Sequence, residues 1–250
     1  MLQTLNRDNN EPERSEYDIG LSNFLSRVYT SASYSILTTV ITIQILMYIS
    51  EEYILSLLIV GLIGSLISCF VFEKIGTEKI TDESNNKRIY YCIDPTSRKC
   101  AFYALSIFIG IMITPLVIIL GSKIFYTGLF ASSIVFCTMT LFSYWKPHFI
   151  GLVCPILILG LFILSSIQIL GLIITFLIGT NNFSTFIHSV DIIYGSLLFT
   201  GLIAYDTYKA VQLYTKEKNA DHLLTATSLY LDFMNLLVRL MEIIEKITKK

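Results

Sequence analysis

Charge is scarce in this sequence. Only 15% of its 250 residues are Asp, Glu, Lys or Arg, against about 25% in an ordinary soluble domain. Hydrophobic residues make up 54%, and the mean hydropathy is +0.65. A soluble fold of this size could not cover its surface with so few polar groups. The formal net charge is −1, so there is no basic field to hold nucleic acid. The five cysteines form no CxxC pair. Cys69, Cys137 and Cys154 lie in apolar runs, where cysteine acts as a small hydrophobe, and Cys92 and Cys100 flank a charged loop. His148, His188 and His222 stand singly at the ends of apolar runs, without a second ligand at zinc spacing. Residues 1–26 mix Arg7 and Arg14 with Asp8, Glu11, Glu13, Glu16 and Asp18. They lack the apolar core of a signal peptide, so a solvated tail over 1–27 is expected. These absences exclude a soluble enzyme, a disordered chain and a disulfide scaffold.

What the sequence does have is apolar runs of membrane-spanning length. Seven are expected, at about 28–49, 53–72, 100–120, 124–144, 149–172, 187–208 and 223–244. Their length and uniform apolarity exclude barrel strands, so they must be helices that satisfy their own backbone. The expected fold is an all-α membrane protein, a seven-helix bundle over 28–250. Glu51 and Glu52 mark a tight turn, and 73–99 reads as a charged loop. Pro115 and Pro155 lie inside runs, and Tyr144 and Trp145 beside Lys146 read as an interfacial belt.

Basic residues orient such a bundle. With the N-terminus in the cytoplasm, thirteen Lys and Arg fall on the inside and only Lys123 on the outside loops. Arg239, Lys246, Lys249 and Lys250 would also favour the inside. A full seventh crossing would put them outside, whereas a re-entrant segment would not. The charge pattern favours re-entry but leaves both open.

Charges within spans cost roughly 2.5–3.5 kcal/mol each on insertion scales, so two aspartates need a reason. Asp206 lies near the end of the sixth run and Asp232 about nine residues into the seventh. The seventh also has a polar stripe at alternating steps of three and four: Thr225, Ser228, Asp232, Asn235, Arg239, Glu242, Lys246 and Lys249. One helical face carries it, so this helix is expected to be central, with the stripe turned from lipid. Arg239 and Glu242 are spaced to pair within the helix. If Asp206 and Asp232 are close, they cannot both ionise cheaply and would share a proton. Deprotonated, the pair would repel itself and attract a hard cation such as calcium, weakly, as a permeation path requires. The residues therefore suggest a proton-gated cation leak without excluding a proton relay.

At these positions the chain resembles the Bax inhibitor / lifeguard family, the transmembrane Bax inhibitor motif-containing family. The segments LLFTGLIAYDT, ending at Thr207, and SLYLDFMNLLVRL (228–240) are similar to the family's sixth- and seventh-span aspartate motifs. FLSRVYTSASYSILTT (24–39), FIGIMITPLV (108–117) and FYTGLFASSIVFCTMTLFSY (125–144) match more loosely. The resemblance implies a pH-sensitive calcium leak of an internal membrane, endoplasmic reticulum or Golgi, and restraint of cell death. Asp206 and Asp232 would be its di-aspartyl pH sensor. Some members carry a basic latch residue at the end of the second span. Here that region reads CFVFEKIGT, without an arginine cluster, and leaves Lys74 as the candidate latch partner. Asn235, Arg239 and Glu242 are candidate supporting residues.

Two other functions compete. An interaction protein would restrain cell death through regulatory partners without transport. An intramembrane aspartyl protease would also use two membrane aspartates, but its glycine-x-glycine-aspartate motif is missing. The expectation is therefore a non-enzyme without cofactor. Its partners would be the lipid bilayer, calcium as permeant ion and cell-death regulatory proteins.

Overall fold

The computed structural model of the chain describes residues 11–48, 51–75, 77–82, 87–92, 95–179, 182–218 and 221–249. Among these residues seven α-helices form, as the apolar runs predict: α1 (Glu11–Leu46), α2 (Ile54–Lys74), α3 (Pro95–Leu120), α4 (Ser122–Trp145), α5 (Pro147–Ile178), α6 (Asn182–Lys216) and α7 (His222–Thr248). A 3-10 turn at Glu51–Tyr53 joins α1 to α2. Pro115 and Pro155 sit inside unbroken helices.

Three expectations need correction. Among the described residues six helices, not seven, are long and apolar enough to cross a membrane, and α1 is the one that falls short. Its second half interrupts the apolar residues with Ser31, Ser33, Ser35, Thr38, Thr39, Thr42 and Gln44. Several of these hydroxyls satisfy themselves within the helix: Thr38 donates to Tyr34 O at 2.8 Å and Thr42 to Thr38 O at 2.9 Å. Second, α1 begins at Glu11 and so covers most of the expected tail. Pro12 falls in its first turn, where a missing N–H breaks no bond. Arg7 and Asp8 lie outside the described residues, as does Lys250.

Third, the 73–99 segment is not only loop. β1 (Thr77–Asp82) pairs antiparallel with β2 (Lys87–Cys92), from Thr77 opposite Cys92 to Asp82 opposite Lys87. β3 (Glu217–Lys218), just after α6, adds in parallel at Arg88 and Ile89. The β-branched and aromatic residues of TEKITD and KRIYYC favour extended chain despite the charges. This sheet ties the α2–α3 connection to the α6–α7 connection.

The helices pack through small residues, because lipid supplies no hydrophobic drive between spans. Only Gly61, Gly64, Ser68 and Phe72 of α2 are buried, all on one face. A Cβ at Gly61 would sit 2.5 Å from the Met112 backbone nitrogen, so the backbones of α2 and α3 nearly touch there. The inner stripe of α1 is Val28, Ala32, Ser35, Thr39 and Ile43, each at most 1% exposed.

α7 packs against α1, α3, α4 and α6. It is a single helix of 27 residues, about 40 Å at 1.5 Å per residue, so no re-entrant hairpin forms. Tyr230, on its inner face, is fully buried. Thr39 Oγ1 donates to Ser106 O at 2.9 Å and lies 2.7 Å from Tyr230 Oη. The threonine has one hydrogen and uses it on Ser106, so the tyrosine is the donor to Thr39. This chain pins α1, α3 and α7 together through the core.

Candidate functional site

The site lies in the seam between α6 and α7. These antiparallel neighbours are joined by a connection of few residues, which fixes which turns face each other. Asp206 stands about three turns before the end of α6, and Asp232 about three turns after the start of α7. Their side chains therefore come level. The Asp206 carboxyl lies close enough to Asp232 and Ser228 to interact with both. Neither carboxylate has a hydrogen to offer the other, so only a proton on one of them could link the two directly. Both residues are half-buried. Asp232 Oδ2 is enclosed and has no conventional hydrogen-bond donor. Among the described residues no cluster of three or more His, Cys, Asp or Glu is placed to hold a metal ion.

The cation facing Asp206 is Lys209, one turn further along α6 and exposed. Lys74 is not among the groups acting on Asp206. It is exposed at the end of α2, with Nζ 5.4 Å from the Phe70 ring centre.

The polar stripe of α7 divides among different neighbours. Thr225 and Arg239 are buried, Ser228 and Glu242 half-buried, and Asn235 is exposed. A stripe at steps of three and four drifts around the helix, so not all of it meets α6. Lys246 is exposed and donates to Ser189 Oγ at 3.0 Å. Arg239 does not form the expected pair with Glu242. Its Nη1 donates to Asp191 O at 2.7 Å and to Asp191 Oδ2 at 2.9 Å, across on α6. The guanidinium occupies the space a side chain at Gly195 would fill, and its carbon lies 5.5 Å from the Phe199 ring centre. Glu242 is close enough to feel His188, Asp191, Arg239 and Lys246. Arg239 follows Asp232 by seven residues, about 10.5 Å along the helix. The seam thus holds a carboxyl pair at one level and an ion pair two turns on.

A third element anchors the start of α7. Asp221 caps it, accepting from Leu223 N at 3.1 Å and Leu224 N at 3.2 Å. The other oxygen of Asp221 pairs with Arg98 of α3, whose side chain is 4% exposed and whose guanidinium lies 4.6 Å from the Phe72 ring centre.

Sequence reasoning missed Asp191, Arg98 and Asp221. Asp191 could have been found by the rule that singled out Asp206, because it too lies within the sixth apolar run. Asp221 has an N-cap signature, an aspartate directly before HLL. Arg98 was one basic residue among six in its loop, and only its three-dimensional partner distinguishes it.

Six apolar helices of spanning length and a polar seam among them define the class: an α-helical, multi-pass integral membrane protein. The chain matches the family model Bax1-I, inhibitor of apoptosis-promoting Bax1, over residues 21–249. It belongs to the Bax inhibitor family. No curated protein matches it at a significant level.

Proposed function

We propose that the protein is a pH-sensitive cation leak, with calcium as the permeant ion and α7 as its central, partly polar helix. The reading is carried by the nearness of Asp206 and Asp232, two carboxyls that face each other across the seam of two membrane helices. While a proton is shared, the carboxyls bridge α6 and α7. Without it, two negative charges face each other, the helices are pushed apart locally and a cation is drawn in. Two carboxylates hold calcium only weakly, which suits passage rather than storage. In this reading the protein needs no cofactor and is not an enzyme. Its N-terminus is cytoplasmic, it resides in the endoplasmic reticulum or Golgi, and it restrains cell death through the calcium content of that compartment and through regulatory partners.

The test is calcium efflux from liposomes containing the purified protein, at several pH values. Wild type runs beside Asp206→Asn and Asp232→Asn. The expected result is a pH-dependent leak whose pH response either substitution removes. A folded, inserted protein without a leak at any pH would overturn the transport reading and turn attention to partner binding. A carboxyl pair could also serve proteolysis, so cleavage of a transmembrane substrate, lost in both variants, would assign the pair to an enzyme instead.

A further inference from the structure

Basic side chains from three helices meet at one end of the bundle. His222 opens α7, Lys99 lies in the second turn of α3, and Arg27 lies on α1. The charged groups near enough to act on His222 are Asp221, Arg27, Lys99 and Arg98, one carboxylate against three cations. Asp221 is already engaged, pairing with Arg98 and accepting from Leu223 N and Leu224 N. Arg27 and Lys99 therefore leave two positive charges uncompensated before His222 is counted. Both are exposed, and His222 is half-buried. Among the described residues neither Arg27 nor Lys99 forms an ion pair.

Depth places this cluster among lipid headgroups. α3 and α7 are both long and apolar enough to span a membrane, and Lys99 and His222 stand near their starts. Helices of 26 and 27 residues are about 39 and 40 Å long. The hydrocarbon core is only about 30 Å thick, so the ends of both helices stand in the phosphate layer.

Further along the helices the chemistry changes in order. On α3, Lys99, Tyr103 and Ile107 follow steps of four, so they share a face. On α1, Arg27, Tyr34 and Ile41 follow steps of seven and do the same. Tyr34 and Tyr103 are near enough to act on each other. Ile107, Tyr34 and Ile41 are exposed, and Tyr103 is half-buried. Each face passes from a cation to a phenol to an aliphatic side chain. A phospholipid has the same order of phosphate, ester region and acyl chain, and tyrosine is the residue of the middle zone. The face on α3 shows this order within a helix of spanning length.

We infer that Arg27, Lys99 and His222 bind the phosphate of an anionic phospholipid, whose acyl chains lie along the Tyr103 and Ile107 face of α3. Charge selects the occupant. Two uncompensated cations and an imidazole N–H favour a headgroup of net negative charge over a zwitterionic one, whose ammonium they repel. The Leu223 and Leu224 N–H groups are spent on Asp221, so side chains alone hold the phosphate. A headgroup bound there ties α1, α3 and α7 together, about three turns from Asp232.

The full chain is purified in a nonionic detergent, and its Tm is followed as dioleoyl phosphatidic acid is added to the micelles. A ligand of the folded state raises Tm with its concentration. Phosphatidic acid should raise it, and phosphatidylcholine should not. Arg27→Gln and Lys99→Gln, both at exposed positions, should each raise the lipid concentration required by roughly fivefold, and the double variant by roughly 25-fold. Lys123→Gln, an exposed lysine at the start of α4 beyond the far end of α3, should leave it unchanged. The single variants carry the test if the double does not fold. An equal rise with phosphatidylcholine, or a response undiminished by Arg27→Gln and Lys99→Gln, would overturn the inference. So would a loss as large in Lys123→Gln, which would mean attraction to any lysine. The same rise from inorganic phosphate would assign the cluster to a free anion instead of a lipid.

Discussion

Arg239 of α7 donates twice to Asp191 of α6, once to its backbone carbonyl and once to its carboxylate. The two side chains are 7% and 16% exposed, so the pair is largely removed from solvent. The contact is made possible by Gly195, which leaves room for the guanidinium where any side chain would collide with it. Removing one member of such a pair strands the other, at a cost of about 3–5 kcal/mol. Asp191→Leu and Arg239→Met are therefore each expected to lower stability in micelles by about that much, measured by denaturant unfolding. The double variant is expected to recover most of the loss, because an apolar pair of similar volume has no charge to desolvate. A double variant as unstable as the sum of the singles would contradict this account.

The α2–α3 contact makes a sharper packing prediction. A methyl group at Gly61 would lie 2.5 Å from the Met112 nitrogen and 2.7 Å from its Cα. Backbone atoms cannot rotate away, so the helices must separate. Gly61→Ala is expected to destabilise by about 1–3 kcal/mol, the range for overpacking. Gly171→Ala would meet only the Ile187 Cγ2 atom at 3.3 Å, the end of a side chain that can yield. It should be nearly neutral in the same unfolding measurement. Equal effects from the two substitutions would mean that backbone approach is not what limits residue size at Gly61.

These cases show what the sequence could and could not reveal. Helix number and position are written in the apolar runs, because lipid leaves no other way to satisfy a backbone. The aspartates stood out because a charge in such a run is costly. Partners were less legible. Arg239 has Glu242 three residues away in sequence, and local spacing favoured that pair, but Asp191 is the group the bundle brings opposite. Position at the end of α2 points to Lys74, whereas the cation beside Asp206 is Lys209, on the same helix. α1 forms where the apolar run predicts a helix, but its hydroxyls interrupt that run and leave it less apolar than the other six. The small sheet was hidden because its strands are short and charged, and β3 has only two residues.

Asp221 has two roles that can be separated. It caps α7 and neutralises the buried Arg98 through Nη2, the Nε atom having no hydrogen-bond partner. Asp221→Asn keeps a capping oxygen but removes the charge, whereas Asp221→Ala removes both. The alanine variant is expected to be less stable than the asparagine variant by about 1 kcal/mol, the usual effect of an N-cap. Both should be less stable than wild type, because the guanidinium is left enclosed between α3 and the Phe72 ring. Unfolding of the three proteins in one detergent checks the order. An asparagine variant equal to wild type would show that the ion pair adds nothing beyond the cap.

The carboxyl contact between Asp206 and Asp232 fixes the sign of a pH effect. In the proposed function the folded protein holds a proton at this seam that an unfolded chain, with separated carboxylates in water, would release. Stability falls with pH wherever the native state binds more protons than the unfolded state. The contribution is therefore present at low pH and is lost as the pH rises and the shared proton leaves. Two like charges facing each other across the seam repel, so the loss should be measurable as a Tm that falls as the pH is raised. In Asp232→Asn the carboxamide N–H can donate to the Asp206 carboxylate at every pH. That variant is expected to show a flat profile over the range in which wild type declines. Its α6–α7 amides should also stay protected from hydrogen exchange where those of wild type become exposed. If Asp232→Asn and wild type lose Tm in parallel, the titrating group lies elsewhere, and the seam is held by packing and by the Arg239–Asp191 pair rather than by a proton.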